Sequence, residues 1–234
     1  MSARPSLRRR AARQPLRRRL LPLLFLAGAA CEDSAPPPPP APAAPAPLVA
    51  APSKTPAPAT PAGPPLDAAQ QAAADQAKAA GMAFAAALKT TLVSALQAGG
   101  PPEGLKVCNE AAPRLLAEQS AASGLQMGRS SLRLRSPANA GPDWVRAGLQ
   151  VWGEGPAAAA APQVAVVGAG PDEQVHLLLP IAVEAPCLAC HGAKEALSGP
   201  LSAELARLYP ADQATGYALG DLRGALWISA PVKR

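Results

Sequence analysis

Cys187, Cys190 and His191 stand in the order Cys-x-x-Cys-His, in a chain with four Cys and two His. Two thiols three positions apart on one tight turn can each add to a vinyl group of the same porphyrin. The adjacent imidazole can then bind the iron, so the spacing is that of c-type haem attachment. Other chemistries use the same residue types. A zinc site needs four ligands, and Cys108 and His176 would have to complete the set without a second paired motif. A redox-active thiol pair calls for a thioredoxin-like βα setting, which this segment lacks.

A haem iron has a second axial position. Cys108, Met127, His176 and Met82 are the residues that could fill it, and an open position is the remaining choice. Cys108 is left without an obvious partner once the motif pair is set aside. Two carboxylates hang from the haem edge, and guanidinium forks suit carboxylates. Arg133, Arg135 and Arg223, with Tyr217 beside them, are candidates to hold them. Ordinary solvated strand surface is the alternative for each.

The elements that must position these residues follow from periodicity. Asp67 can cap a helix over 67–98, in which Phe84, Leu88, Leu92 and Leu96 make one stripe. Gly99-Gly100-Pro101-Pro102 stops it. A second helix over 103–122 puts Leu105, Cys108, Ala112, Leu115 and Leu116 on one face. Pro113 would kink it by freeing the Asn109 carbonyl. Ser131–Arg135 alternates as a half-buried strand, with Arg133 and Arg135 opposite Leu132 and Leu134. Further elements are a helix over 142–151, strands over 164–167, 175–183 and 225–232, and a helix over 203–208. Pro180 predicts an edge or a bulge in its strand. Helices first and strands later imply α+β with an antiparallel sheet.

Three ordered blocks resemble one family. They are Gly128-Arg129-Ser130-Ser131-Leu132-Arg133-Leu134-Arg135-Ser136-Pro137-Ala138-Asn139, the stretch Pro180–Gly192 around the Cys pair, and Tyr209–Tyr217 with Gly220–Ala225. The family is that of single-haem c-type domains with a PAS-like sensor fold. Ser130 and Ser136 stand where Thr and Asn are commoner. The resemblance implies a PAS-like antiparallel sheet with N-terminal helices. It also implies that Cys108, in its Val107-Cys108 context, is the distal ligand opposite His191. A His/thiolate iron would have a low potential and be closed to small ligands while Cys108 holds.

The remaining sequence reads as an address. Eight arginines precede residue 20, an apolar run covers Leu20 to Ala30, and Cys31 follows Gly28-Ala29-Ala30. That order is a secretory signal, with Cys31 as a lipidation site or ordinary cleavage after Ala29 or Ala30. Residues 31–65 are a Pro/Ala-rich linker and 66–234 the haem domain, with six aromatic side chains. The formal charge of +6 lies in the leader. Beyond Ala30, 14 basic side chains face 16 acidic ones, a balance of −2 that argues against a nucleic-acid partner.

These readings lead to a periplasmic, membrane-tethered monohaem c-type cytochrome that carries one covalent haem c and passes one electron to a redox partner protein. The alternative is a haem-based redox or small-ligand sensor acting through a partner protein. An enzyme is not expected, because a peroxidase would need an open iron and a distal acid/base, for which only His176 remains.

Overall fold

The computed structural model describes residues 65–234. The signal segment, Cys31 and all but the last residue of the Pro/Ala-rich linker lie outside them.

Asp67 opens α1 (Ala68–Lys106) with a capping box: its carboxylate accepts from Gln70 N–H at 2.9 Å, and Gln70 Oε1 accepts from Asp67 N–H at 3.0 Å. Such a cap stabilises a helix by about 1 kcal/mol. The backbone breaks at Gly99 and Gly100, where Gly100 has φ of +69°. The chain then turns back on itself. A Cβ on Gly104 would stand 2.7 Å from Leu96 Cδ2, so glycine permits that return. A π-helical turn (Val107–Ala111) and α2 (Ala112–Ser123) complete a helical hairpin, whose far end is tied by Gln76 Nε2 donating to Ser123 O at 3.3 Å.

Four antiparallel strands follow: β1 (Gln126–Ser130), β2 (Gln163–Val167), β3 (Gln174–Ala182) and β4 (Leu222–Pro231). Their order is β1-β4-β3-β2. The expected α+β architecture is therefore observed. Alternation gives the sheet two working faces. Met127, Val175, Leu177, Leu226, Ile228 and Ala230 face α1, packing on Ala73, Ala77, Ala80 and Phe84. Small residues along α1 let the helix approach closely: a Cβ on Gly81 would meet Ile228 Cδ1 at 3.0 Å. The opposite face carries Leu178 and Ala225, covered by Val145 and Leu149 of α3 (Asp143–Trp152).

Two expectations need correction. The first strand is Gln126–Ser130, not Ser131–Arg135, which bends away from the sheet. Ser131 Oγ accepts from Arg133 N–H at 3.1 Å in a local turn, and both arginines reach the 212–217 loop instead of a neighbouring strand. Pro180 lies on an inner strand, but the β2 pairing ends at Leu178, so its missing N–H costs no ladder bond on that side. The bulge comes one step later, between Ile181 and Ala182.

Candidate cofactor site

Beyond β3, Val183 is pinned twice: its N–H donates to Asp221 O and its carbonyl accepts from Gly220 N–H, both at 2.8 Å. A 3-10 turn (Ala185–Cys187) then runs into the single-turn helix α4 (Leu188–His191). This places Cys187 and Cys190 three residues apart on one helical face. Gly192 N–H closes the turn on Leu188 O at 3.0 Å. A Cβ there would stand 2.7 Å from that oxygen, so glycine follows the histidine for want of space.

A second segment holds the imidazole. Gly216 N–H donates to Gly192 O at 2.7 Å and Tyr217 N–H to His191 O at 3.0 Å. His191 Nδ1 lies 2.6 Å from Ala214 O. A carbonyl only accepts, so Nδ1 carries the hydrogen and Nε2 keeps its lone pair for a metal. Burial, then the guanidiniums of Arg223 and Arg135, push His191 well below its ordinary pKa and keep it neutral. The Tyr217 ring meets it edge-on at 6.2 Å.

Arg135 braces this segment from beneath. It is 6% exposed. Its Nη2 donates to Cys190 O at 2.5 Å and to Ala214 O at 3.1 Å, and its Nε lies 3.1 Å from the Asp212 carboxylate. Arg133 donates through Nε to Gln213 O at 3.2 Å and through Nη2 to Thr215 O, with its guanidinium 4.3 Å over Tyr217. Both are bound to the loop that holds His191. Arg223 makes one contact, from Nη1 to Arg133 O at 3.3 Å, and lies 5.4 Å over Tyr217.

Cys108 approaches from the helical hairpin. It sits in the π-helical turn, where Ala112 N–H donates to Val107 O, five residues back. Pro113 lacks the N–H that would continue an α-helical ladder, and a π-turn absorbs the mismatch. Leu105, one turn earlier, packs on Cys190, Leu201, Leu205 and Tyr209, while Tyr209 Oη donates to Asn109 Oδ1 at 2.9 Å. Burial pushes the Cys108 thiol up, and Arg129, Arg135 and Arg223 oppose that shift. Cys108, Cys187 and Cys190 form no disulfide.

The other axial candidates go elsewhere. His176 stacks on Trp144 at 4.2 Å on the opposite face of the sheet. Met127 is part of the core under α1, and Met82 is 59% exposed. Among the described residues, no three His, Cys, Asp or Glu are grouped to hold a metal ion by themselves. The donor set fits a haem: two thiols on one turn, a neutral imidazole with Nε2 available, and a third thiol on the facing helix.

Arg129 and Asp212 were not singled out from sequence. Arg129 follows Leu125 and Met127 in the alternation of β1, so a charge in an apolar row was the available signal. Its Nε is buried without a hydrogen-bond partner, and its guanidinium lies 6.0 Å from the Phe84 ring centre.

A family model described as Tll0287-like matches residues 66–231. A solved structure described as that of the cyanobacterial heme-protein Tll0287 aligns at 23% identity and a TM-score of 0.49. The alignment covers 65% of this chain and 93% of that one. No curated protein matches.

Proposed function

The chain belongs to the Tll0287-like family, and from that premise we propose that it is an exported c-type cytochrome carrying one covalent haem. Its task is one-electron transfer with a partner protein. The observation that carries the reading is the His191 geometry: Nδ1 is tied to Ala214 O at 2.6 Å directly after the Cys187–Cys190 turn, leaving Nε2 for iron. When bound, the haem supplies the one-electron couple.

The chain's own residues do the rest. Cys187 and Cys190 anchor the group covalently, which suits export through a compartment where a loosely held cofactor would be lost. Arg135 and Asp212 fix the loop that orients His191. Cys108, on the π-turn, would be the chain's second residue to hold the iron, and holding it would leave no room for small molecules. Acid/base chemistry at the iron has no evident agent, since His176 is stacked against Trp144 on the far face. We therefore expect no peroxidase activity.

Export and tethering rest on sequence: the Arg-rich leader, Cys31 as lipidation site, and the Pro/Ala-rich stalk before the domain. These features support a periplasmic location with the domain held to a membrane. The second reading is a redox or small-ligand sensor. A thiolate that leaves the iron on reduction would favour it, and the π-turn carrying Cys108 is the part that would move.

Absorption and EPR spectra of the purified protein test both. Haem bands that do not shift with CO, with a low-spin ferric signal altered in Cys108→Ala, are expected for the carrier. Ready CO binding on reduction would move the assignment to the sensor. Absence of haem bands would overturn both.

A further inference from the structure

Four guanidiniums surround the His191 segment, and their partners differ in kind. Arg135 has the Asp212 carboxylate beside its Nε, although its Nη1 is buried without a partner, and Arg133 is occupied by two backbone carbonyls. Arg129 and Arg223 take part in no ion pair among the described residues. Both are half-buried. Arg129 Nε is buried with nothing to bond. Arg223 has a single 3.3 Å contact to a carbonyl and lines a cavity of about 240 Å³ with Arg133, Tyr217 and Ser131. Burial pushes both guanidiniums below their ordinary pKa, and Arg135 and Arg129 push Arg223 further.

A cation drawn partly out of water without an anion is costly. Glu154 and Asp221 line the same cavity as Arg223, but neither forms an ion pair with it, and Arg129 has none either, so both guanidiniums are left to meet negative charge on something the chain binds. Two unmatched positive charges call for two negative ones. Placement adds to this. Arg129 pairs with Leu226 across the sheet, three residues along β4 from Arg223. At about 3.4 Å per residue the backbone positions of the two arginines stand roughly 10 Å apart along the strands, a spacing that suits two carboxylates on one rigid frame.

We propose that Arg129 and Arg223 are the receptor for the two propionate carboxylates of the haem, one arginine to each, while Arg133 and Arg135 position the His191 loop. This rests on the haem reading above. It moves the propionate role off Arg133 and Arg135 and onto Arg129, earlier in the same block.

Resonance Raman spectroscopy of the haem-loaded protein tests it, because the propionate bending mode moves down in frequency when a strong hydrogen bond to the carboxylate is lost. Arg129→Gln and Arg223→Gln are each expected to shift one component of that band downward. Arg114→Gln, an exposed control, should leave the band in place. Should a Gln variant fail to take up haem, the Lys variant at that position keeps the charge and loses the fork, and a smaller downward shift is expected. A propionate band unmoved in haem-loaded Arg129 or Arg223 variants overturns the assignment. Wild-type protein without haem bands would instead overturn the haem reading, so the two failures are distinct.

Discussion

Asp212 serves two neighbours with its two oxygens. Oδ1 accepts from Ala214 N–H at 2.7 Å, which sets the peptide whose carbonyl receives His191 Nδ1–H. Oδ2 faces Arg135 Nε at 3.1 Å, and both side chains are nearly out of solvent. Asp212→Asn keeps a carbonyl acceptor for Ala214 but strips the charge from Arg135. Removing one member of a buried pair costs about 3–5 kcal/mol, because the other charge is left uncompensated. Urea unfolding of the haem-loaded variant should show a loss of that order, with the haem spectrum largely retained. A loss under about 1 kcal/mol would mean that the pair behaves as an exposed one.

At the scale of elements, the π-turn connects sequence to ligation. An α-helix advances about 100° per residue, so one extra residue in a turn rotates everything before it relative to everything after. Pro113 stands just past the turn and withholds the N–H that an α ladder needs. Pro113→Ala restores that donor. The turn should relax toward α geometry and carry Cys108 off its position, changing the low-spin ferric EPR signal of the haem-loaded protein. An unchanged signal would show that packing by Leu105 and Tyr209, not the proline, holds the turn.

The same element shows what the sequence could reveal. The proline announced a distortion and the apolar stripe turned Cys108 inward, but neither says that the distortion is a π-turn. The side chains that pack against the turn come from α5 (Gly199–Leu208) and Tyr209, far away in sequence. The motif and the apolar row of β3 were legible because each is written in local spacing. The misplaced first strand has the opposite cause. Leu132 and Leu134 alternate with Arg133 and Arg135 as a strand would, yet those arginines serve a loop some 80 residues on. Arg129 escaped notice because its burial depends on α1 and Cys108, both distant in sequence.

Across the whole molecule the sheet separates two layers. The face under α1 leads to Cys108, Arg129 and the motif. The face under α3 carries Trp144, Trp227 and His176, with the two indoles edge to face at 6.1 Å. His176 therefore tests whether the layers are energetically separate. Burial lowers its pKa from the ordinary 6.5. Below that value the unfolded chain binds a proton that the native ring resists, so the unfolded state gains protons and native stability falls as pH drops from about 6.5 through the folded-state pKa. Above 6.5 the contribution is complete. His176→Gln removes the titration and should flatten this part of the stability curve relative to wild type. It also loses the stack on Trp144, worth about 0.5–1.5 kcal/mol at neutral pH. Neither change should reach the iron, because the sheet lies between. Denaturant midpoints measured between pH 5 and 8 check the first expectation, and the haem absorption spectrum checks the second. A spectrum that moved with His176 would show that the two faces of the sheet are coupled.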